Sequence, residues 1–299
     1  MFLNQLNYQK ARLKYLKFLK SQEILSEPFR DKEGQLKKFY FPISHKIFKN
    51  FSKDKKTKII GLTGGQGSGK STISQILKII LKESFNLKTV IFSIDDFYKT
   101  YKERKKMSLK ISPLFFTRGV PGTHDTKMLL KCIKDLKKKN FDKVLIPRFE
   151  KSNDDRSPKK NWQMIKYKPD VVIFEGWCVG VTPQKKKDLL VPINRLEKER
   201  DKKKICRFKV NKELKNNYKK IFDLVDKYIF LKVPSFKHVY KWRLLQEKKL
   251  RATSKGNKTM SDNEIKNFIM FYERLTKHML KNFSLKSDMI INIDNKHRL

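Results

Sequence analysis

The sequence predicts an α/β fold built on a mostly parallel sheet. Three observations carry this. Six short apolar segments recur along the chain, and helical periodicity separates most of them. The fourth, DVVIFEG (170–176), is almost continuously apolar, as a strand covered on both faces must be. The first, KIIGL (58–62), runs straight into a glycine-rich segment and then a helix.

In chain order, residues 1–35 form an N-terminal helical extension, with a basic helical stretch from Leu3 to Leu25. A Pro/Phe-rich piece, FYFPISHKIFKNF, follows, and residues 1–56 are expected to pack against the main domain without chemistry of their own. The main domain is 36–299. Residues 72–83 read as a helix, because Ile73, Ile76, Leu77, Ile80 and Leu81 recur at three-to-four spacing. The remaining strand segments are LKTVIFSI (87–94), KVLIPRF (143–149), KYIFLKV (227–233) and DMIINID (288–294). Residues 184–220 are Lys-rich and weakly apolar, which predicts helices and loop on the surface. Residues 235–283 read as helix, polar turn (TSKGNKTMSD) and helix, the second opening on the capping box Ser261 to Glu264.

The glycine-rich segment Gly64-Gly65-Gln66-Gly67-Ser68-Gly69-Lys70-Ser71 matches G-x-x-x-x-G-K-[ST] throughout, with a strand before it and a helix after. Its glycines let successive N–H groups point inward around phosphate oxygens, and the helix N-terminus adds about half a positive charge. Lys70 then reaches the β- and γ-phosphates, Ser71 ligates Mg²⁺, and Thr72 opens the helix. The segment therefore predicts a nucleoside triphosphate site with Mg²⁺; the identity of the triphosphate, ATP, comes only with the resemblance given below.

Ligands in open parallel sheets bind at the carboxyl ends of the strands. The second strand delivers Asp95 and Asp96 there, and the fourth delivers Glu175. One carboxylate is needed near Mg²⁺, directly or through water, and another can take the proton of an attacking hydroxyl. Asp95 is read as the base and Glu175 as the metal-water ligand. Asp96 competes for either role, and is grouped with Tyr98 on the acceptor side; a plain helix cap is the alternative for the Asp pair.

Three loops hold candidate acceptor contacts. RGVPGTHD (118–125) is a glycine- and proline-set turn presenting Arg118, His124 and Asp125, the last a candidate cap for a helix over 126–139. PRFEKSNDDR (147–156) contributes Arg148, Lys151 and Arg156. EGWC (175–178) adds Trp177 as a wall. Arg118, Arg148 and Arg156 are three of only 13 Arg in the chain, and guanidinium forks suit a carboxylate or phosphate. In the C-terminal helix pair, Arg243 and Arg251 are eight apart and share a face, so a lid could bring them over the phosphates.

The 299 residues carry Lys+Arg 72 against Asp+Glu 30, a net charge of +42. The lysines are scattered rather than gathered, which argues against a dedicated nucleic-acid binder and for a solvated surface that attracts small anions. No apolar run approaches a membrane span, and the first twenty residues lack a secretory apolar core. Three Cys without CxxC spacing predict a reducing, cytoplasmic setting.

TGGQGSGKST, SIDDFYK, RGVPGTHD, PRFEKSNDDR, FEGWCVG and VYKWRLLQE…MSD, in this order over about residues 36–294, resemble the D-glycerate 3-kinase family. These are P-loop kinases related to phosphoribulokinase, uridine kinase and pantothenate kinase. The resemblance implies a three-layer P-loop NTPase fold with a five-stranded parallel core, a helical lid over 235–283, and transfer of the ATP γ-phosphate to D-glycerate. It implies that Asp95 is the base, that Arg148 to Arg156 contact the acceptor, and that Arg243 and Arg251 bind phosphate. The segment 184–210 is longer and more basic than the family pattern, which resumes at VNKELKNNY (210–218), and is read as an insertion. A uridine- or pantothenate-like small-alcohol kinase is the alternative. An ATP-binding regulatory or nucleic-acid-associated protein, favoured by charge alone, is the alternative outside that class. Oligomeric state is left open.

Overall fold

The computed structural model describes residues 5–23, 29–253, 259–296 and 298. Leu3 and Leu25, the bounds of the N-terminal helical stretch, and the centre of the TSKGNKTMSD turn lie outside them. The helices are α1 (Gln5–Gln22), α2 (Lys32–Gln35), α3 (Phe41–Ser52), α4 (Lys70–Phe85), α5 (Tyr101–Lys110), α6 (Thr126–Lys137), α7 (Arg195–Arg200), α8 (Ile205–Glu213), α9 (Lys219–Phe222), α10 (Phe236–Thr253) and α11 (Asp262–Asn282). The strands are β1 (Lys58–Gly64), β2 (Thr89–Ser93), β3 (Val144–Ile146), β4 (Phe149–Glu150), β5 (Asp155–Arg156), β6 (Gln163–Ile165), β7 (Val171–Gly176), β8 (Lys227–Lys232) and β9 (Met289–Asn292).

The central sheet has five strands in the order β2-β7-β1-β8-β9, all parallel. Strands β1 and β7 are buried along their whole length, as their unbroken apolar runs require. One of the six expected strands is not in this sheet. The 143–149 segment splits: Val144–Ile146 pairs antiparallel with β6, and Phe149–Glu150 pairs antiparallel with β5. Its apolar run is only three residues long, with Leu145 turned to solvent. Such a segment suits an outlying ribbon rather than a sheet interior.

Helix α4 runs from the glycine-rich loop and buries Ile73, Ile76, Leu77, Ile80 and Leu81. Asn86, at φ 53, ends it in the left-handed conformation that Asn tolerates. Helix α1 lies against α4, burying Ala11, Tyr15 and Leu19, and Lys14 donates to the buried Glu83 carboxylate at 2.7 Å. Local caps form where the residues call for them. Asp125 accepts from the Met128 amide at the start of α6, and Ser261 and Glu264 close a capping box on α11.

The 184–220 segment is less superficial than its composition suggests. Arg207 is buried and donates to Asp201 at 3.1 Å and to the Leu189 carbonyl at 2.7 Å. Arg274 of α11 donates to Glu197 at 2.6 Å and to the carbonyls of Asp188 and Val191 at 2.7 Å each. Removing one partner of such a pair strands the other charge away from water. Arg274→Ala is therefore expected to cost about 3–5 kcal/mol, read as a lowered urea midpoint. An unchanged midpoint would mean that the segment is held by apolar contacts instead.

Candidate active site

The site is built where β1, β2 and β7 end. At the end of β1 the chain curls through Gly67 and Gly69, at φ 75 and 82, conformations that side chains rarely adopt. The Lys70 ammonium donates to the carbonyls of Gly64 (3.0 Å) and Gly65 (2.9 Å). Burial pulls its pKa down, opposed by the charges of Glu175 and Asp95. The buried Gln66 Oε1 and Ser68 Oγ have no hydrogen-bond partner among the described residues. At the end of β7, Glu175 accepts from the Ser71 hydroxyl at 3.3 Å, and burial raises its carboxyl above the usual range.

At the end of β2, Ser93, Asp95 and Asp96 divide their work. Ser93 Oγ accepts from the Asp95 amide at 3.2 Å, and Asp96 Oδ2 accepts from the Ser93 amide at 3.0 Å. The Asp96 carboxylate thus closes a capping box, and burial raises its pKa. Asp95 points elsewhere. Its Oδ2 accepts from Lys151 Nζ at 3.0 Å, and its Oδ1 is buried with no hydrogen-bond partner. Burial pushes the Asp95 carboxyl up. The charge and hydrogen bond of Lys151 outweigh that push and leave it below its usual value.

These groups open onto one cavity of about 570 Å³. It is lined by Gln66, Gly67 and Gly69 to Thr72, and by Tyr98, Arg118, Phe149, Lys151 and Trp177. Arg118 pairs with Asp154 and lies over the Phe149 ring, 5.5 Å from its centroid. Asp154 also pairs with the fully buried Arg104 at 3.0 Å, so two guanidiniums share one carboxylate. Helix α10 rests on the loop: a Cβ at Gly65 would meet Val239 at 2.7 Å, and one at Gly67 would meet the Trp242 Cβ at 2.8 Å. It presents Trp242, Arg243 and Gln246 to the cavity, and α11 adds Phe268 and Tyr272.

The comparisons agree with this geometry. The family described as phosphoribulokinase/uridine kinase matches residues 59–207. The Schizosaccharomyces pombe protein named "Uncharacterized kinase mug58" is 34% identical over 241 residues, 77% of this chain and 85% of that protein. This chain belongs to the phosphoribulokinase/uridine kinase family. The chloroplastic D-glycerate 3-kinase of Arabidopsis thaliana is 29% identical over 222 residues, 72% of this chain but 46% of that protein. The solved D-glycerate 3-kinase of Cryptococcus neoformans superposes with a TM-score of 0.68 at 23% identity, over 84% of this chain and 93% of that one. That likeness supports the P-loop kinase fold.

Within this kinase-family site the expected residues fall into two groups. Lys70, Ser71, Thr72, Asp95, Asp96, Tyr98, Arg118, Lys151, Glu175, Trp177 and Arg243 all line the cavity. Gly64, Gly65 and Ser68 lie beneath it, the first two holding Lys70. Arg148, His124 and Arg156 are not on its lining. Arg148 is exposed, one residue from the buried Phe149, because successive side chains of an extended chain face opposite ways. Arg156 donates to the Tyr98 carbonyl at 2.8 Å and approaches Asp125 at 3.6 Å. His124 is buried and stacks on Tyr98, with centroids 4.4 Å apart, and its Nδ1 lies 2.6 Å from the Tyr218 hydroxyl. Burial pushes its pKa down to about 3, so its imidazole is neutral. His124 and Arg156 therefore act on Tyr98, and Arg148 on nothing in the cavity. Arg251 pairs with Asp262 at 2.6 Å, also off the lining.

The reading of the chain missed the α11 wall. Tyr272 donates to the Arg118 carbonyl at 3.3 Å and packs edge-on against Trp177, centroids 4.7 Å apart. Phe268 and Tyr272 are four apart on an amphipathic helix, a spacing that marks a buried face and nothing more. The donor set also fits Mg²⁺. The Ser71 hydroxyl and the Glu175 carboxylate are hard oxygen donors beside the phosphate cradle. No group of three or more His, Cys, Asp or Glu suited to a metal occurs among the described residues. An ion held by one or two protein oxygens plus phosphate and water is the usual Mg²⁺ arrangement at nucleotide sites.

Proposed function

We propose that this chain transfers the γ-phosphoryl group of ATP to a primary hydroxyl of a small anionic alcohol, with D-glycerate the first choice, giving 3-phosphoglycerate and ADP. One observation carries the reading: a single cavity is lined by the phosphate loop, by a carboxylate with one unpartnered oxygen, and by Arg118. The 29% identity to the Arabidopsis D-glycerate 3-kinase supports the acceptor choice.

Lys70 and the loop amides grip the triphosphate. Ser71 and Glu175, the latter through water, would hold Mg²⁺, which when bound neutralises phosphate charge. The acceptor hydroxyl approaches Asp95 Oδ1. As its oxygen bonds to phosphorus and the bond to ADP breaks, its proton passes to Asp95. Lys151 keeps Asp95 ionised for that task. Arg118 faces the acceptor carboxylate, Arg243 answers charge spreading on the phosphoryl group, and the rings of Trp177, Phe268 and Tyr272 exclude water.

A second reading rests on the same rings. With Gln246 they could flank the base of a nucleoside, so uridine is the competing acceptor. A coupled assay of ADP release with D-glycerate, uridine, pantothenate or no acceptor tests both. ADP is expected with D-glycerate. Release with uridine alone would transfer the assignment to the second reading. Acceptor-independent hydrolysis raised by RNA or DNA would overturn both.

A further inference from the structure

Glu247 of α10 takes no part in the scheme above, yet its carboxylate is committed on two sides. It is buried, with Oε2 2.6 Å from a terminal nitrogen of Arg243, a charge pair rather than an aligned hydrogen bond. Its Oε1 accepts the backbone N–H of Met260 at 2.8 Å. Arg243 lines the cavity and follows Trp242, whose Cβ lies against the phosphate loop at Gly67. The other terminal nitrogen of Arg243, Nη1, is buried without a hydrogen-bond partner. Met260 also lines the cavity and precedes Ser261, the cap of α11, which carries Phe268 and Tyr272 to the acceptor wall. One carboxylate thus ties the arginine on the phosphate side to the helix on the acceptor side.

We propose that Glu247 is a positioning residue: it aims Arg243 at the phosphoryl group in transit and fixes the start of α11 relative to it. The inference rests on the reading that Arg243 meets that group. The physical ground is orientation. An arginine has four rotatable side-chain bonds, and it stabilises a transition state only when its nitrogens already point where charge develops. A buried ion pair does little for net stability, so its use here is better explained by aim than by adhesion.

Glu247→Gln separates the two contacts. The amide oxygen still accepts from Met260, while the charge that orients Arg243 is gone. Expected is a kcat about 100-fold lower with the KM for ATP within about threefold of wild type. Combining Glu247→Gln with Arg243→Gln is expected to lose no more than Arg243→Gln alone, because both changes remove one function. Losses that multiply, a wild-type kcat, or a KM for ATP that rises with the loss of kcat would overturn the proposal. A readout without acceptor runs beside it on the full chain. ADP with aluminium fluoride mimics the phosphoryl group in flight, and its affinity relative to ADP alone is expected to fall equally in both single variants. An unchanged ratio in Glu247→Gln overturns the proposal. If no acceptor in the panel supports ADP release, the acceptor assignment falls, and the ratio still decides the role of Glu247.

Discussion

Lys70→Ala is expected to lower kcat/KM for ATP by about 10³-fold or more while the protein still folds. The ammonium sits among the Gly64 and Gly65 carbonyls and the Glu175 and Asp95 charges, at the mouth of the α4 N-terminus. No other cation extends from the loop itself, so within the loop only backbone amides would remain to face the phosphates. The loss to the fold is small, because the two hydrogen bonds are local to the loop and α4 is held by its apolar face. Steady-state kinetics with a thermal melt checks both halves. Turnover within tenfold of wild type, in a variant that melts normally, would remove the phosphate-loop assignment.

Asp95→Asn carries the second large effect, a fall in kcat of about 10²–10⁴-fold with the KM for ATP nearly unchanged. The replacement has the same shape, and its amide oxygen can still accept from Lys151, so the loop that brings Lys151 is not released. What disappears is the proposed proton acceptor. Since the Asp95 carboxyl lies below its usual value, that group is expected to stay ionised throughout the neutral range, with kcat falling only as pH drops through the depressed value. An equal loss in kcat and in ATP affinity would show Asp95 to be a metal ligand first.

The placement of most residues on the loop side of the cavity was legible in the sequence, because its physics is local. A glycine curl, a lysine at the helix start and carboxylates ending strands each announce themselves within ten residues. The caps at Asp125 and Ser261 were readable for the same reason. The side that the proposal gives to the acceptor was only partly legible, since contacts there cross long separations. Arg118 shares Asp154 with the distant Arg104, whereas Arg148, equally promising by type and place, faces solvent through the alternation of an extended chain. His124 looked like a ligand beside Arg118 and Asp125; its ring instead lies stacked on Tyr98. The 143–149 strand failed because an apolar run that short does not tell which partner it will pair with. Tyr272 was hidden in an ordinary amphipathic pattern.

The span matched by the family, residues 59–207, closes before α10 and α11 begin. The helix pair beyond that span carries both Arg243 and the rings of Phe268 and Tyr272, with Glu247 between them. In the proposed scheme a change of ring that suits another guest is therefore felt by the arginine as well, so choice of guest and speed of transfer move together.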